Sequence, residues 1–135
     1  MATAFSLDRF LHAPPLDRAR VVESGLPAKA VRDLVADPAI TLADIARIVA
    51  KRRTLERRLA DDEALTPEES DRFARFAEVL ELAADILGGR ATAMEWLRAP
   101  KARFEGMSPL DLLRTHAGAQ LVENLLLQAR HGMLG

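Results

Sequence analysis

The side chains with most to offer chemically are arginines. Between residues 47 and 58 stand Arg47, Lys51, Arg52, Arg53, Arg57 and Arg58, against one acid, Glu56. Guanidinium groups at this density suit phosphate oxygens and guanine edges, which they grip through paired N–H bonds. The usual catalytic sets are missing. His12, His116 and His131 fall at none of the i, i+3 or i, i+4 spacings that put two metal ligands on one helix face, so surface or capping roles fit them better. There is no Cys, hence no disulfide, thiolate metal site or Cys nucleophile. There is no G-x-S-x-G, no P-loop and no dinucleotide fingerprint. Every carboxylate cluster is explained by an acidic helix surface better than by an acid–base pair. A non-enzymatic protein without cofactor or metal is the expectation.

The arginines need an element to aim them. Thr41 can cap a helix, with Asp44 in its first turn, and Leu42, Ile45, Ala46 and Val49 form an i, i+3, i+4, i+7 stripe. A second helix follows almost at once, around residues 52–60. At ~100° per residue, Leu55 and Leu59 share its inner face, Arg53 and Arg57 lie opposite, and Thr54 and Arg58 flank the outer side. This is the layout of a recognition helix, docked by its apolar side with its cations turned outward. The candidate DNA contacts are therefore Lys51, Arg52, Arg53, Thr54, Arg57 and Arg58. A plainer reading stays open: the cations are solvated, or they pair with the stretch 61–81, where eight acids face only Arg72 and Arg75. The turn Val49-Ala50-Lys51-Arg52 also lacks the glycine common in helix-turn-helix turns.

The remaining elements are helical as well. The chain holds 24 Ala and 21 Leu against 17 Ile, Val and Thr in 135 residues, which favours an all-α fold. No Tyr, one Trp and five Phe are too few aromatics for a base-stacking sheet. A net charge of −1 shows that the basic run is local. Residues 1–14 read as a flexible tether ending at Pro14-Pro15, followed by a short helix to Gly25 and another from Pro27 to the Asp37-Pro38 break. Thr66-Pro67-Glu68-Glu69 is a capping box with proline in the first turn, opening a helix that stops at Gly88-Gly89. Its apolar residues cover two sides, as expected of a central strut. Residues 91–97 form a short helix carrying Trp96, Phe104-Glu105-Gly106-Met107 a turn, Ser108-Pro109 a capped start, and 117–130 the last helix. No stretch is apolar enough to span a membrane and no secretion signal is evident, so a cytoplasmic location is expected.

The C-terminal segment is rich in leucine. Leu121, Val122, Leu125, Leu126 and Leu127 exceed one helical stripe, and Met133 and Leu134 prolong it. Such a surface either meets a partner or second copy, or packs against the 73–87 helix; the pattern leaves both open.

Two linked motifs resemble a known family. The stretch Ala93-x-x-Trp96-Leu97-x-x-Pro100, continuing through Phe104-x-Gly106-x-Ser108-Pro109-Leu110-x-x-Leu113-x-Thr115-x-x-Gly118-x-x-x-Val122-x-x-x-Leu126 to His131-Gly132, resembles the toxin-binding domain of the Xre/MbcA/ParS antitoxins. Upstream, Arg53-Thr54-Leu55-x-Arg57-Arg58-Leu59, then Leu65-Thr66-x-x-Glu69-Ser70-x-Arg72-x-x-Arg75, is similar to their Xre-like helix-turn-helix half. With the elements read above, the resemblance, which covers about residues 25–132, gives the expected organisation: a tether over 1–14, a helix-turn-helix domain over 15–65, a connecting helix over 66–88 and a toxin-binding domain over 89–135. It implies a type II antitoxin that covers the active site of a cognate RES-domain toxin acting on NAD⁺, and that represses its own operon by binding operator DNA, as a homodimer or toxin complex. The alternative is a stand-alone dimeric transcriptional regulator. Trp96, Lys101, Arg103, Phe104, Pro109, Arg114, His116, Arg130, His131 and Met133 are the candidate toxin contacts. From Arg90 onward six basic residues stand against four acidic ones, which suits contact with a cleft built for a pyrophosphate.

Overall fold

The computed structural model describes residues 5–132 and is helical throughout, with no strand among the described residues. The chain divides into two compact units between Ala74 and Arg75. The first contains α1 (Leu7–Leu11), α2 (Pro15–Ser24), α3 (Ala28–Val35), α4 (Leu42–Ala46), α5 (Arg52–Asp61) and the start of α6 (Pro67–Leu87). The second contains the rest of α6, α7 (Arg90–Arg98), a 3-10 turn (Ala102–Phe104), α8 (Pro109–Leu112) and α9 (His116–Arg130). None of the described helices is long and apolar enough to cross a membrane.

Hydroxyl side chains start most of these helices, at Thr41, Thr66 and Ser108 as the sequence predicts and at Ser6 and Thr115 besides. Ser6, Thr41, Ser108 and Thr115 each accept a hydrogen bond from the amide three residues on. Thr41 with Asp44, and Thr66 with Glu69, complete reciprocal capping boxes. The Ser6 cap corrects the expected tether. Residues 7–11 are helical because Leu7 and Phe10, three apart, share a face and bury it.

In the first unit, Leu26, Val31, Leu34, Ile40, Ile45, Leu55 and Phe73 are enclosed. Gly25 allows a close pass of chain on chain. It sits at φ +93°, and a Cβ there would lie 2.4 Å from the Leu65 carbonyl oxygen. Next to it the Leu65 amide donates to the Leu26 carbonyl at 2.8 Å, and the Leu26 amide donates to the buried Ser70 hydroxyl at 2.8 Å.

In the second unit, Phe76, Leu80, Met94, Leu97, Leu110, Leu113, Val122 and Leu126 form the interior. α8 packs on α7 and α9. The α8–α9 approach depends on Gly118, where an added Cβ would lie 2.0 Å from the Leu112 carbonyl oxygen. The leucine-rich tail divides between the two fates left open above. Val122, Leu125 and Leu126 complete this unit's own core, while Leu121 stays 52% exposed and Leu127 40%. Met133 and Leu134 lie outside the described residues.

Candidate functional site

Two surfaces bring together residues able to recognise something. The first is built on α4 and α5. The link between them, residues 47–51, follows α4 closely: the Ile48 and Val49 amides both donate to the Ile45 carbonyl, at 3.0 and 2.8 Å. Its residues all keep negative φ, which explains why no glycine is needed there. α5 then packs on α3 and α4, anchored by Leu55, which is almost wholly enclosed.

Arg58 does not lie where the sequence places it. It follows Leu55 by three residues, so the helical turn that buries Leu55 carries Arg58 inward too, and it is buried with 7% exposure. Leu59, expected to share the anchor, is only half-buried. A buried guanidinium requires a partner. Arg58 Nε and Nη2 donate to Glu69 Oε1 and Oε2 at 2.8 and 3.1 Å, and Nη1 donates to Glu63. The forked bond to Glu69 raises the Arg58 pKa, and this outweighs the effect of burial. For Glu69, burial pushes the carboxyl up, but Arg58, the Thr66 amide and Arg72 together hold it below the usual carboxylate range. Arg58 is thus a structural ion-pair residue, and the DNA contact assigned to it is withdrawn.

The remaining cations are outside. Lys51, Arg52, Arg53 and Arg57 are exposed and Thr54 is half-buried. Arg52 Nε lies 3.4 Å from Glu56 Oε1, and Arg57 Nε lies 3.9 Å from Glu63 Oε2. Both pairs are more than half solvated on the arginine side, so they hold their cations weakly and a phosphate could displace them. The pairing reading and the exposed-cation reading therefore each apply to part of the run.

The second surface belongs to α9 and the loop before α8. That loop is closed by the Lys101 amide donating to the Met107 carbonyl at 3.1 Å and the Gly106 amide to the Lys101 carbonyl at 2.9 Å. A cleft of about 530 Å³ opens beside it, lined by Arg103, Phe104, Glu105, Met107, Leu112, Leu121, Asn124, Leu125 and Gln128. Its base is apolar and its rim polar. Arg103 Nη1 reaches across to Gln128 Oε1 at 3.2 Å, and Met107 and Leu121 are about half exposed.

Of the expected toxin contacts, the cleft gathers Arg103 and Phe104. Trp96 is half-buried, with the Lys101 ammonium 4.7 Å from its ring centroid, a cation–π contact. Burial lowers the Lys101 pKa. Arg114, His116 and His131 are exposed, and exposed Arg130 donates to Asp85 Oδ2 at 2.8 Å. Pro109 is buried in the first turn of α8, so it shapes this unit from inside instead of offering a contact. Met133 is outside the described residues. The residues missed are Glu105, Met107, Leu112, Asn124 and Gln128. On α9 the signal was available, since Leu121, Asn124, Leu125 and Gln128 recur at i, i+3, i+4, i+7 with one polar edge.

Comparison with known proteins accords with this division. Residues 17–78 match the Antitoxin Xre-like helix-turn-helix domain, and residues 82–132 match the Antitoxin Xre/MbcA/ParS C-terminal toxin-binding domain. Over 116 residues the chain is 30% identical to Antitoxin Xre of Photorhabdus laumondii, covering 84% of this chain and 78% of that protein. The chain belongs to the Xre/MbcA/ParS antitoxin family. Other members are closer over shorter stretches. Antitoxin Xre of Pseudomonas putida is 41% identical over 80 residues, 59% of this chain and 50% of that protein. Antitoxin Xre of Yersinia enterocolitica is 40% identical over 82 residues, 60% of this chain and 55% of that protein. The chain thus spans about half the length of these two relatives. Within the family's two domains, α4 and α5 fall in the helix-turn-helix part, and α7, α8, α9 and the cleft fall in the toxin-binding part.

Proposed function

We propose that this chain is the antitoxin of a type II pair, that its second unit holds a RES-domain toxin, and that its first unit binds the operator of its own genes. Neutralisation is steric and non-enzymatic. The toxin's NAD⁺ site is covered by apolar packing around the cleft, with a cationic rim. The observation that carries this reading is the half-exposed apolar cleft, bordered by Arg103 and lying inside the matched toxin-binding domain. Exposed Met107 and Leu121 provide the buried centre that protein interfaces need. Arg114, His116, Arg130 and His131 stand as further contacts around it, and a homodimer is the expected binding form on DNA. Operator contact falls to Lys51, Arg52, Arg53, Thr54 and Arg57, with each phosphate contact steepening the salt dependence of binding.

The test is co-expression with the neighbouring RES-domain reading frame, scoring growth and cellular NAD⁺. Expression of this chain restores both and the two proteins purify together. Purification of the chain alone, with no rescue and retained DNA binding, would establish the stand-alone regulator instead. Charge reversal at Arg103 and Arg114 weakens toxin capture; unchanged affinity removes the cationic-rim part of the reading.

A further inference from the structure

Two side chains at the start of α6 grip the DNA-reading element from behind. Glu69 holds Arg58 on the inner face of α5 through two bonds of 2.8 and 3.1 Å. One turn further along, Arg72 donates from Nε and Nη2 to the Val49 carbonyl, at 3.1 and 2.8 Å. Val49 lies in the link between α4 and α5. Glu69 and Arg72 are three apart and so share a face of α6. One clamp fixes the recognition helix and the other fixes the turn that delivers it.

These bonds add to the turn's own backbone bonds, to the packing of α5 on α3 and α4, and to the Arg32 Nη2 bond to the Leu59 carbonyl at 3.2 Å. Lys51, the N-cap of α5, offers no side-chain cap, and α4 is only five residues long, so side-chain bonds from α6 bear directly on this junction. The angle at which Arg53 and Arg57 leave the surface is therefore set in part by bonds from α6. Direct base readout depends on that angle, because a paired guanidinium–guanine contact tolerates little displacement. Attraction to the phosphate backbone depends on charge and hardly on angle.

We infer that Arg72, together with the Arg58–Glu69 pair, consists of positioning residues that determine the sequence specificity of DNA binding without touching DNA. This rests on the reading of the first unit as a DNA-binding element.

The experiment uses the full chain and two charge-conserving variants, Arg72→Lys and Arg58→Lys. Each keeps the positive charge but loses the forked geometry. Binding is measured to the duplex immediately upstream of the chain's own gene and to a shuffled duplex of equal composition, over a salt series, alongside the thermal midpoint. Both variants are expected to lose about tenfold or more in the ratio of specific to shuffled affinity. Their shuffled-duplex affinity and salt slope stay within about twofold of the parent. An unchanged ratio overturns the inference, and so does an equal fall on both duplexes, which would mark a merely structural role. If Arg58→Lys does not fold, Arg72→Lys decides alone, since Arg72 is only part-buried and its loss leaves no buried charge unpaired. If the parent itself prefers neither duplex, the DNA-binding reading fails and the inference with it, an outcome recognisable before any variant is compared.

Discussion

Arg58 and Glu69 form a buried pair across eleven residues of chain, with side chains 9% and 10% exposed. Removing one member of such a pair can cost about 3–5 kcal/mol when the other charge is left unpaired, but Arg58 without Glu69 would keep its bond to half-exposed Glu63. Glu69→Ala, which also uncaps the Thr66 amide, is accordingly expected to lose about 2–3 kcal/mol in urea unfolding, more than a typical surface change. Because the Glu69 pKa is lower in the folded chain than in the unfolded one, its contribution is complete above the ordinary glutamate range of about 4.3. It is lost as pH falls through the depressed folded value. Acidification below about pH 4 should therefore lower the thermal midpoint of the parent more than that of an Arg58→Met/Glu69→Leu double variant; parallel curves would refute this. At Gly118, alanine would put its Cβ 2.0 Å from a backbone oxygen, so Gly118→Ala should cost about 2 kcal/mol or more by the same unfolding measurement. The arginine's inward turn was hard to read because period counting sends arginines outward by residue type. Its spacing of three from Leu55 nonetheless points inward, and the partner that makes burial tolerable, Glu69, lies in another helix. The close approach at Gly118 was equally hidden, since a helix interior gives no sign of what crosses it.

At the scale of elements, the sequence was more informative. Capping hydroxyls, first-turn prolines and stop glycines are local chemistry, and they located the starts of α4, α6 and α8 and the end of α6 to within a residue. The stretch before Pro14 went astray because a single short turn is too brief to display a period, and α1 is held by burial of Leu7 and Phe10. On α9 the apolar excess was visible, but its division was not. Which leucines face the core depends on where α8 lies, and Gly118 decides that. The exposed pair Met107 and Leu121 gives an element-scale prediction. Because both are about half exposed, Met107→Ser and Leu121→Ser should each change folding stability by no more than about 0.5 kcal/mol. Each should weaken capture of the RES-domain toxin about tenfold or more in a direct binding titration. A large loss of stability with undiminished capture would place the contact surface elsewhere.

For the whole molecule, the two surfaces belong to separate compact units, and their damage should be separable. Arg53→Glu/Arg57→Glu is expected to abolish binding to the upstream duplex by reversing exposed charge at the phosphates, while leaving rescue of growth intact. Met107→Ser/Leu121→Ser should do the reverse. Gel shift and co-expression scored on both variants check this, and loss of both activities in either variant would contradict it. The net charge of −1 fits such an arrangement: the proposed attraction to DNA would come from one local run of cations, not from the molecule as a whole.

The seam between those units falls inside α6, not in a loop. Proteases cut backbone that is extended and accessible, and a helical turn must unwind before it can be cleaved. A cut at the seam itself therefore requires α6 to unwind first. Limited proteolysis is accordingly expected to nick the non-helical stretches on either side of α6, residues 62–66 and 88–89, before the seam itself.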